Sequence, residues 1–434
     1  MIDLAQRLHL LLLCLLLVFS AAVYPCPSEA TEASRTPVQI LKPHQLPINA
    51  KSAVLMDVAT GQVLVAYKEH TRIPPASFAK LLTLYIVFDT LKQGKLRLDD
   101  KVYISEKAWR TGGSKMFVEV GTKVPLRELI KGIAVVSGND ACVAVAEHLY
   151  GSTSLFAQAM NAFARKIGMQ ESHFTNPHGL PHREQYTTAL DMALLARSYL
   201  LKFPEALQFH SMQAYTYSGI RQRNRNGLLR KDPSVDGLKT GYIAQAGYHL
   251  LATAKRHGWR LLAVIMGAKS PAVREEEAMK LLNYGYRNVV LLALFHKGQV
   301  LAELPVWKGK KGSLPVVATA DGVVVVPREY STRVHNVAVL PAELTAPIQR
   351  GQQLGRAEIR LETQTLKTIP LAAAQEIPRA GLVRIVTQDL YLLVRNYKKT
   401  LLLLTGGILP IAAVVVLISL RGRRRRRRPV RFQL

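Results

Sequence analysis

Residues 77–94 read SFAKLLTLYIVFDTLKQG, a helix pattern that is apolar nearly all round, with Leu81, Leu82, Leu84, Ile86, Val87, Phe88 and Leu91 leaving no continuous polar face. A helix of that kind has to be enclosed by other elements. The chain is therefore expected to build layers around one central helix that starts after Pro74-Pro75 and stops at Gly94. Ahead of it, residues 52–68 (SAVLMDVATGQVLVAYK) place two apolar runs on either side of Thr60-Gly61, a hairpin signal. Helical stretches follow between about 125 and 205, among them 126–136 and 139–150. Beyond 235 the pattern reverts to strands, and Tyr248–Ala254 and Trp259–Met266 flank Arg256-His257-Gly258 as a second hairpin. Strands at both ends with helices between them predict an α+β fold, an antiparallel sheet backed by a helical cluster.

Near 290 the character changes. Short alternating runs (VLAELPVW, SLPVVA, GVVVVP, NVAVLP, AEIRL) occupy 300–371, with turn candidates at Asp321-Gly322 and Arg350-Gly351. They predict a small all-β domain over 291–383. An amphipathic linker over 384–399 leads on from it. No internal repeat is visible.

Two further apolar segments bear on the compartment. Residues 8–23 follow Arg7, and small-x-small pairs stand at Ser20-x-Ala22 and Ser28-x-Ala30, so residues 1–30 read as a signal peptide. Residues 400–420 carry no charge over 21 positions, enough for a membrane helix across a hydrocarbon layer of about 30 Å. The tail, 421–434, follows at once with eight Arg and no acid. The positive-inside rule then puts the C-terminus in the cytoplasm and the intervening domains outside, as a single-pass cell-membrane protein whose domains are extracytoplasmic, periplasmic.

At 434 residues the chain is long enough for two or three domains, and 49% apolar with 20% charged residues excludes global disorder. A net charge of +28 implies an acidic partner: nucleic acid, anionic lipid or an anionic polymer. The Arg run has no interleaved aromatic residue, which points to anionic lipid heads and away from nucleic acid. Three cysteines, Cys14, Cys26 and Cys142, exclude a disulfide-rich scaffold and a CxxC metal site; Cys142 reads as a small buried residue.

The chemistry-bearing residues form three short groups. Ser77 and Lys80, at i and i+3, share a helix face near its N-terminus, where free N–H groups stabilise an oxyanion. Serine needs a base, and lysine serves when burial or a neighbouring cation lowers its pKa. Ser137-Gly138-Asn139 sits between two helical runs, where a turn aims a hydroxyl and an amide into a cleft. Lys239-Thr240-Gly241 lies in the strand region, with Lys239 as a second cation and Gly241 leaving room for a ligand beside the strand. Each group alone is a common pattern: a helix cap and an exposed lysine, an N-cap, an edge-strand lysine.

Together, in the order S-x-x-K, S-G-N, K-T-G, they resemble the serine acyl-transferase set of the penicillin-binding proteins and β-lactamases. The flanks PPASFAK, GGSKMFVEVG, GIAVVSGNDACVAVAEH, NPHGLP, YTTALDMALLA and VDGLKTGY, with APIQRGQQLG and TIPL further on, resemble the D-alanyl-D-alanine carboxypeptidases, low-molecular-mass penicillin-binding proteins of the peptidase S11 family. The resemblance covers about residues 40 to 380. It implies a penicillin-binding, β-lactamase-like transpeptidase fold in residues 31–290. It also implies a serine-type D-Ala-D-Ala carboxypeptidase that acts on peptidoglycan stem peptides, is acylated by β-lactam antibiotics, and uses no metal or cofactor.

Residue by residue, the resemblance makes Ser77 the nucleophile and Lys80 its base. Ser137 relays the proton to the leaving amine, and Asn139 holds the substrate amide. The backbone N–H groups of Ser77 and Tyr242 form the oxyanion hole, and Lys239, Thr240 and Gly241 line the carboxylate side. Arg225 and Arg274 match family arginines as candidates for carboxylate binding, and His178 shapes a loop at the cleft. The chain departs from the family pattern at Phe78-Ala79 inside S-x-x-K and at Tyr242, where many members carry His or Thr. It also departs at the C-terminus, where many relatives end in an amphipathic helix. A class A β-lactamase is disfavoured because no E-x-x-L-N appears in the middle region. A D,D-endopeptidase and a non-enzymatic β-lactam or cell-wall sensor remain open, and turnover separates them.

Overall fold

The structure is a computed structural model that describes residues 46–403 and 414–418. β1 (Ser52–Asp57) and β2 (Val63–Tyr67) form the first hairpin. The Asp57 carboxylate accepts the Thr60 N–H at 2.7 Å, and Gly61 reverses the chain at φ +78°. Two short antiparallel pairs, β3 (Lys101–Tyr103) with β4 (Lys123–Pro125) and β5 (Ala214–Tyr217) with β6 (Ile220–Arg223), lie in the helical region. β7 (Val235–Ile243), β8 (Gly247–Arg256) and β9 (Trp259–Ala268) complete an antiparallel five-stranded sheet ordered β2-β1-β9-β8-β7. β7, which carries Lys239-Thr240-Gly241, is therefore an edge strand.

Both faces of this sheet are covered, which is why its strands read as continuous apolar runs. Val54 and Met56 of β1, with Leu262, Val264 and Met266 of β9, pack into the cluster that holds the central helix. Ala53, Leu55, Leu261, Ala263 and Ile265 pack on the opposite side. The central helix Ala79–Lys92 is buried at every position from Ala79 to Asp89, as a helix without a polar face must be. Helices Asn139–Tyr150, Thr153–Ile167 and Ala189–Lys202 share its core cluster.

Two local features differ from the sequence reading. The stretch 126–136 is α-helical only through Lys131; Gly132–Val136 widen into a π-helical turn that ends at Ser137 in the left-handed region. The stretch after β9, expected to continue as strands, is instead the long helix Pro271–Asn288, which covers the outer face of the sheet. Its start is marked by Ser270, whose hydroxyl accepts the Val273 N–H at 3.2 Å, and by Pro271 in the first turn. Glu275 and Glu277 obscured its apolar stripe. Both are buried, Glu275 against Lys231 and the Gly227 N–H, Glu277 against Lys280 and Asn49.

The chain then enters β10 (Val289–Phe295), β11 (Val300–Trp307), β12 (Ser313–Ala318), β13 (Gly322–Pro327), β14 (Val334–Val339), β15 (Leu344–Thr345), β16 (Gln353–Leu361) and β17 (Gln364–Ala373). β10 pairs with β13, and the other six form one sheet ordered β14-β16-β17-β12-β11-β15. Phe295, Val316, Val324, Ile359 and Leu371 fill its core, the all-β domain expected from the alternating runs.

The stretch 384–399 lies inside a helix, Leu382–Leu403. Its first turns are held to the β11–β12 connection. The Lys308 N–H donates to Gln388 at 2.6 Å, Lys308 pairs with Asp389 at 2.9 Å, and Arg384 donates to the Lys310 carbonyl at 2.9 Å. Among the described residues no helix is long and apolar enough to cross a membrane. The leader 1–30 and the tail 421–434 lie outside the described residues, and the proposed span 400–420 lies largely outside them.

Candidate active site

Pro74-Pro75 deliver the chain to a short 3-10 turn, Ala76–Phe78, that runs straight into the central helix. Ser77 thus stands just before the α-helix, and Ala76 takes φ +48°, a conformation that costs about 1 kcal/mol for a residue with a Cβ. Gly179 makes that turn possible. At φ +85°, a Cβ on it would fall 1.7 Å from the Ala76 carbonyl oxygen, so only glycine lets the 176–180 loop approach. The loop is pinned to the helix by Thr83, whose hydroxyl donates to the Pro177 carbonyl at 2.7 Å, and by Lys80, which donates to the His178 carbonyl at 2.5 Å.

Lys80 is fully buried, and its Nζ lies 2.9 Å from Ser77 Oγ. Burial is the main cause that pulls its pKa down to about 8, and the Arg225 charge pulls in the same direction. A substantial fraction of Lys80 is then neutral near pH 7–8 and competent to accept a proton from Ser77.

Ser137 sits at φ +62° at the end of the π-helical turn, with its side chain buried. The helix that follows is capped at Gly138 without a side-chain bond, so Ser137 is not acting as an N-cap. Its Oγ instead lies 3.0 Å from Lys239 Nζ on β7, and Lys239 also reaches the Thr240 carbonyl at 3.1 Å. Lys239 is itself buried, and its pKa is held well below the usual lysine value, first by desolvation and then by the charge of Lys80. Ser77, Lys80, Ser137 and Lys239 are thereby two hydroxyl–amine pairs, and the charge of Lys80 acts on Lys239.

Asn139 is buried in the wall beside them; its Nδ2 donates to the Gly112 carbonyl at 2.6 Å. Thr240 is buried, and a Cβ on Gly241 would stand 3.4 Å from the Ser77 backbone nitrogen, so a side chain there would crowd the nucleophile's N–H. Tyr242 is half exposed and stacks on Tyr248 at 4.3 Å. Arg274 is buried; it donates to the Arg225 carbonyl at 3.0 Å and lies over the Tyr248 ring at 5.7 Å. Arg225 is at the surface, with its charge felt at both Lys80 and Lys239. Neither arginine contacts Ser77 in this structure's hydrogen-bond network. His178 has its Nδ1 occupied as acceptor of the Leu180 N–H at 3.2 Å, and burial pushes its pKa down to about 3, which suits a loop-shaping residue and makes it a poor base.

Two residues escaped the sequence reading. Asp140, buried next to Asn139, accepts the N–H groups of Met116 at 3.0 Å, Phe117 at 2.9 Å and Ala141 at 2.9 Å, which ties the 112–118 loop to the cleft. Its position directly after S-G-N was the available signal. His249, on β8, is the other, and no local pattern marks it. Among the described residues no group of three or more His, Cys, Asp or Glu is placed to hold a metal ion. The arrangement supplies a nucleophile, a desolvated base beside it, a second amine–hydroxyl pair to move a proton, and an N–H at a helix start. These are the parts of acyl transfer.

Comparison with known proteins places the chain among relatives of one family. A family model described as D-alanyl-D-alanine carboxypeptidase matches residues 39–270, and one described as penicillin-binding protein 5, C-terminal domain, matches residues 292–379. The chain is 37% identical over 343 residues to D-alanyl-D-alanine carboxypeptidase DacD of Salmonella typhimurium, covering 77% of this chain and 88% of that protein. It is 35% identical over 360 residues to D-alanyl-D-alanine carboxypeptidase DacA of Escherichia coli K12, covering 81% and 89%. The crystal structure of penicillin binding protein 5 from Haemophilus influenzae superposes with a TM-score of 0.73 at 36% identity, covering 77% of this chain and 98% of that one.

Proposed function

The chain belongs to the D-alanyl-D-alanine carboxypeptidase family, peptidase S11, and from that premise we propose that it removes the terminal D-Ala from peptidoglycan stem pentapeptides through an acyl-enzyme on Ser77. The observation that carries this reading is the two hydroxyl–amine contacts made by buried lysines, Ser77 Oγ with Lys80 Nζ at 2.9 Å and Ser137 Oγ with Lys239 Nζ at 3.0 Å.

In this reading neutral Lys80 takes the Ser77 proton as Oγ attacks the carbonyl carbon between the two D-Ala residues. The oxyanion forms against the N–H groups of Ser77 and Tyr242. Ser137, linked to Lys239, passes a proton to the leaving amine as the C–N bond breaks and free D-Ala departs. Water then attacks the ester and returns Ser77 to its starting state. Asn139, Thr240 and Gly241 position the peptide, while Arg225 and Arg274 add positive potential on the carboxylate side. A β-lactam, whose ring carbonyl presents the same electrophile, would acylate Ser77 and stay on as a slowly hydrolysed ester.

The domain limits proposed with it are a signal peptide over 1–30, the peptidase over 31–290, the β-domain over 291–383, a linker over 384–399, a membrane span over 400–420 and a cytoplasmic polybasic tail over 421–434. The support for the membrane anchor and the extracytoplasmic location is the uncharged run and the Arg tail in the sequence. D-Ala release from an acylated D-Ala-D-Ala tripeptide, measured beside Ser77→Ala, tests the reading. Release that vanishes in the variant is expected. Covalent penicillin binding without release would transfer the assignment to an endopeptidase or a sensor.

A further inference from the structure

We propose that His249 is a positioning residue for acyl transfer, holding the segment that carries Ser77 against the Lys239–Gly241 strand at the spacing an oxyanion needs. The inference rests on the reading of Ser77 as nucleophile.

His249 lies on β8 directly opposite Gly241 of β7, and it is fully buried. Its Nδ1 accepts the Gly267 N–H at 2.9 Å, which requires the tautomer with hydrogen on Nε2. That Nε2 then donates to the Pro74 carbonyl at 3.1 Å, three residues before Ser77. Gly267 belongs to the place where the β8–β9 register slips, between Tyr248 and Leu250. A slipped register interrupts the ladder, and here the imidazole takes up the N–H. The ring also packs on Phe78, the residue after Ser77, at 5.4 Å.

One side chain therefore touches three segments: the slipped β9, the turn before the nucleophile and the residue after it. The fourth neighbour is Gly241. A Cβ there would stand 3.4 Å from His249 Cδ2, 3.4 Å from the Ser77 nitrogen and 3.2 Å from Ala76 Cβ. The imidazole and the Ser77 nitrogen thus both border the space that the missing Gly241 side chain leaves open. Burial is the largest cause that keeps the ring neutral, at a pKa of about 4, with the cations Arg274 and Lys51 acting in the same sense against two backbone hydrogen bonds. A neutral ring is what the donor–acceptor pair demands. A second ring proton would face the Gly267 N–H donor to donor.

The test uses the full chain with benzylpenicillin as acylating probe and an acylated D-Ala-D-Ala tripeptide as substrate. His249→Gln reaches the Nε2 position and keeps a donor for Pro74. His249→Asn reaches only the Nδ1 position and keeps the acceptor for Gly267. His249→Phe keeps the packing and loses both. The expected result is a limiting acylation rate at least about tenfold lower in Asn and Phe, KM moved by less than about twofold, and most of the rate recovered in Gln. The order of rates would then differ from the order of Tm, because Asn and Gln each retain one of the two hydrogen bonds. Acylation that follows Tm across Gln and Asn, or that is unchanged in both, would overturn the positioning role. This comparison stands even if the Phe variant does not fold. A wild-type chain that is not acylated at Ser77 would instead remove the nucleophile reading, and the inference with it.

Discussion

The amine of Lys80 stands 2.9 Å from the hydroxyl of Ser77 in a position closed to solvent. Burial brings its pKa to about 8, and only the neutral amine accepts the proton. The acylation rate is therefore expected to rise with pH and level off above about 8. Arg225 depresses the same pKa through its charge, so Arg225→Ala makes Lys80 easier to protonate and moves the rising limb to higher pH. Penicillin acylation rates across the limb, in wild type and variant, check the sign; an unmoved limb would mean that the Arg225 charge does not act at Lys80.

Asp140 holds the 112–118 loop with hydrogen bonds from Met116 and Phe117. Asp140→Ala leaves those buried donors without an acceptor, a loss on the order of 3 kcal/mol. Because Asn139 is bonded to Gly112 in the same loop, acylation should fall along with stability. Denaturant unfolding and acylation measured on one preparation test both halves.

Gly179 and Gly168 both lie at positive φ, but only Gly179 faces backbone, with the Ala76 oxygen 1.7 Å from where a Cβ would stand. Gly168→Ala meets nothing within 4 Å and is expected to cost about 1–2 kcal/mol for the left-handed conformation alone. Gly179→Ala has to displace the turn that carries Ser77, and should lower the acylation rate well beyond what its Tm change accounts for. Equal acylation in the two variants would contradict this.

Tyr242 is half exposed at the cleft rim and stacks on Tyr248. Tyr242→Ala gives up one such stack, worth about 0.5–1.5 kcal/mol, and keeps the backbone N–H assigned to the oxyanion hole. The expected outcome is a small Tm change and a larger effect on KM than on kcat. A kcat collapse at constant KM would move Tyr242 from the rim into the reaction itself.

Much of the site was legible because its parts are short and local. Ser77 and Lys80 lie one helical turn apart, and Ser137-Gly138-Asn139 and Lys239-Thr240-Gly241 are contiguous. The central helix announced its burial through an apolar circumference, and the sheet strands through unbroken apolar runs. The helix Pro271–Asn288 was lost to the strand reading because two of its glutamates, Glu275 and Glu277, are buried with partners as far away in sequence as Lys231 and Asn49. His249 carried no local mark at all, since its role exists only where β7, β9 and the turn before Ser77 converge.

The sequence by itself determined which residue types stand at the helix start, the inter-helix turn and the edge strand, because propensity, periodicity and turn chemistry act over a few neighbouring positions. Only the tertiary structure decided that Lys80 and His178, 98 positions apart, share a hydrogen bond, and that Lys239 reaches Ser137 across 102. The protonation of the two lysines belongs to the same level. Desolvation and the field of distant charges set it, and neither exists until the chain has closed around them.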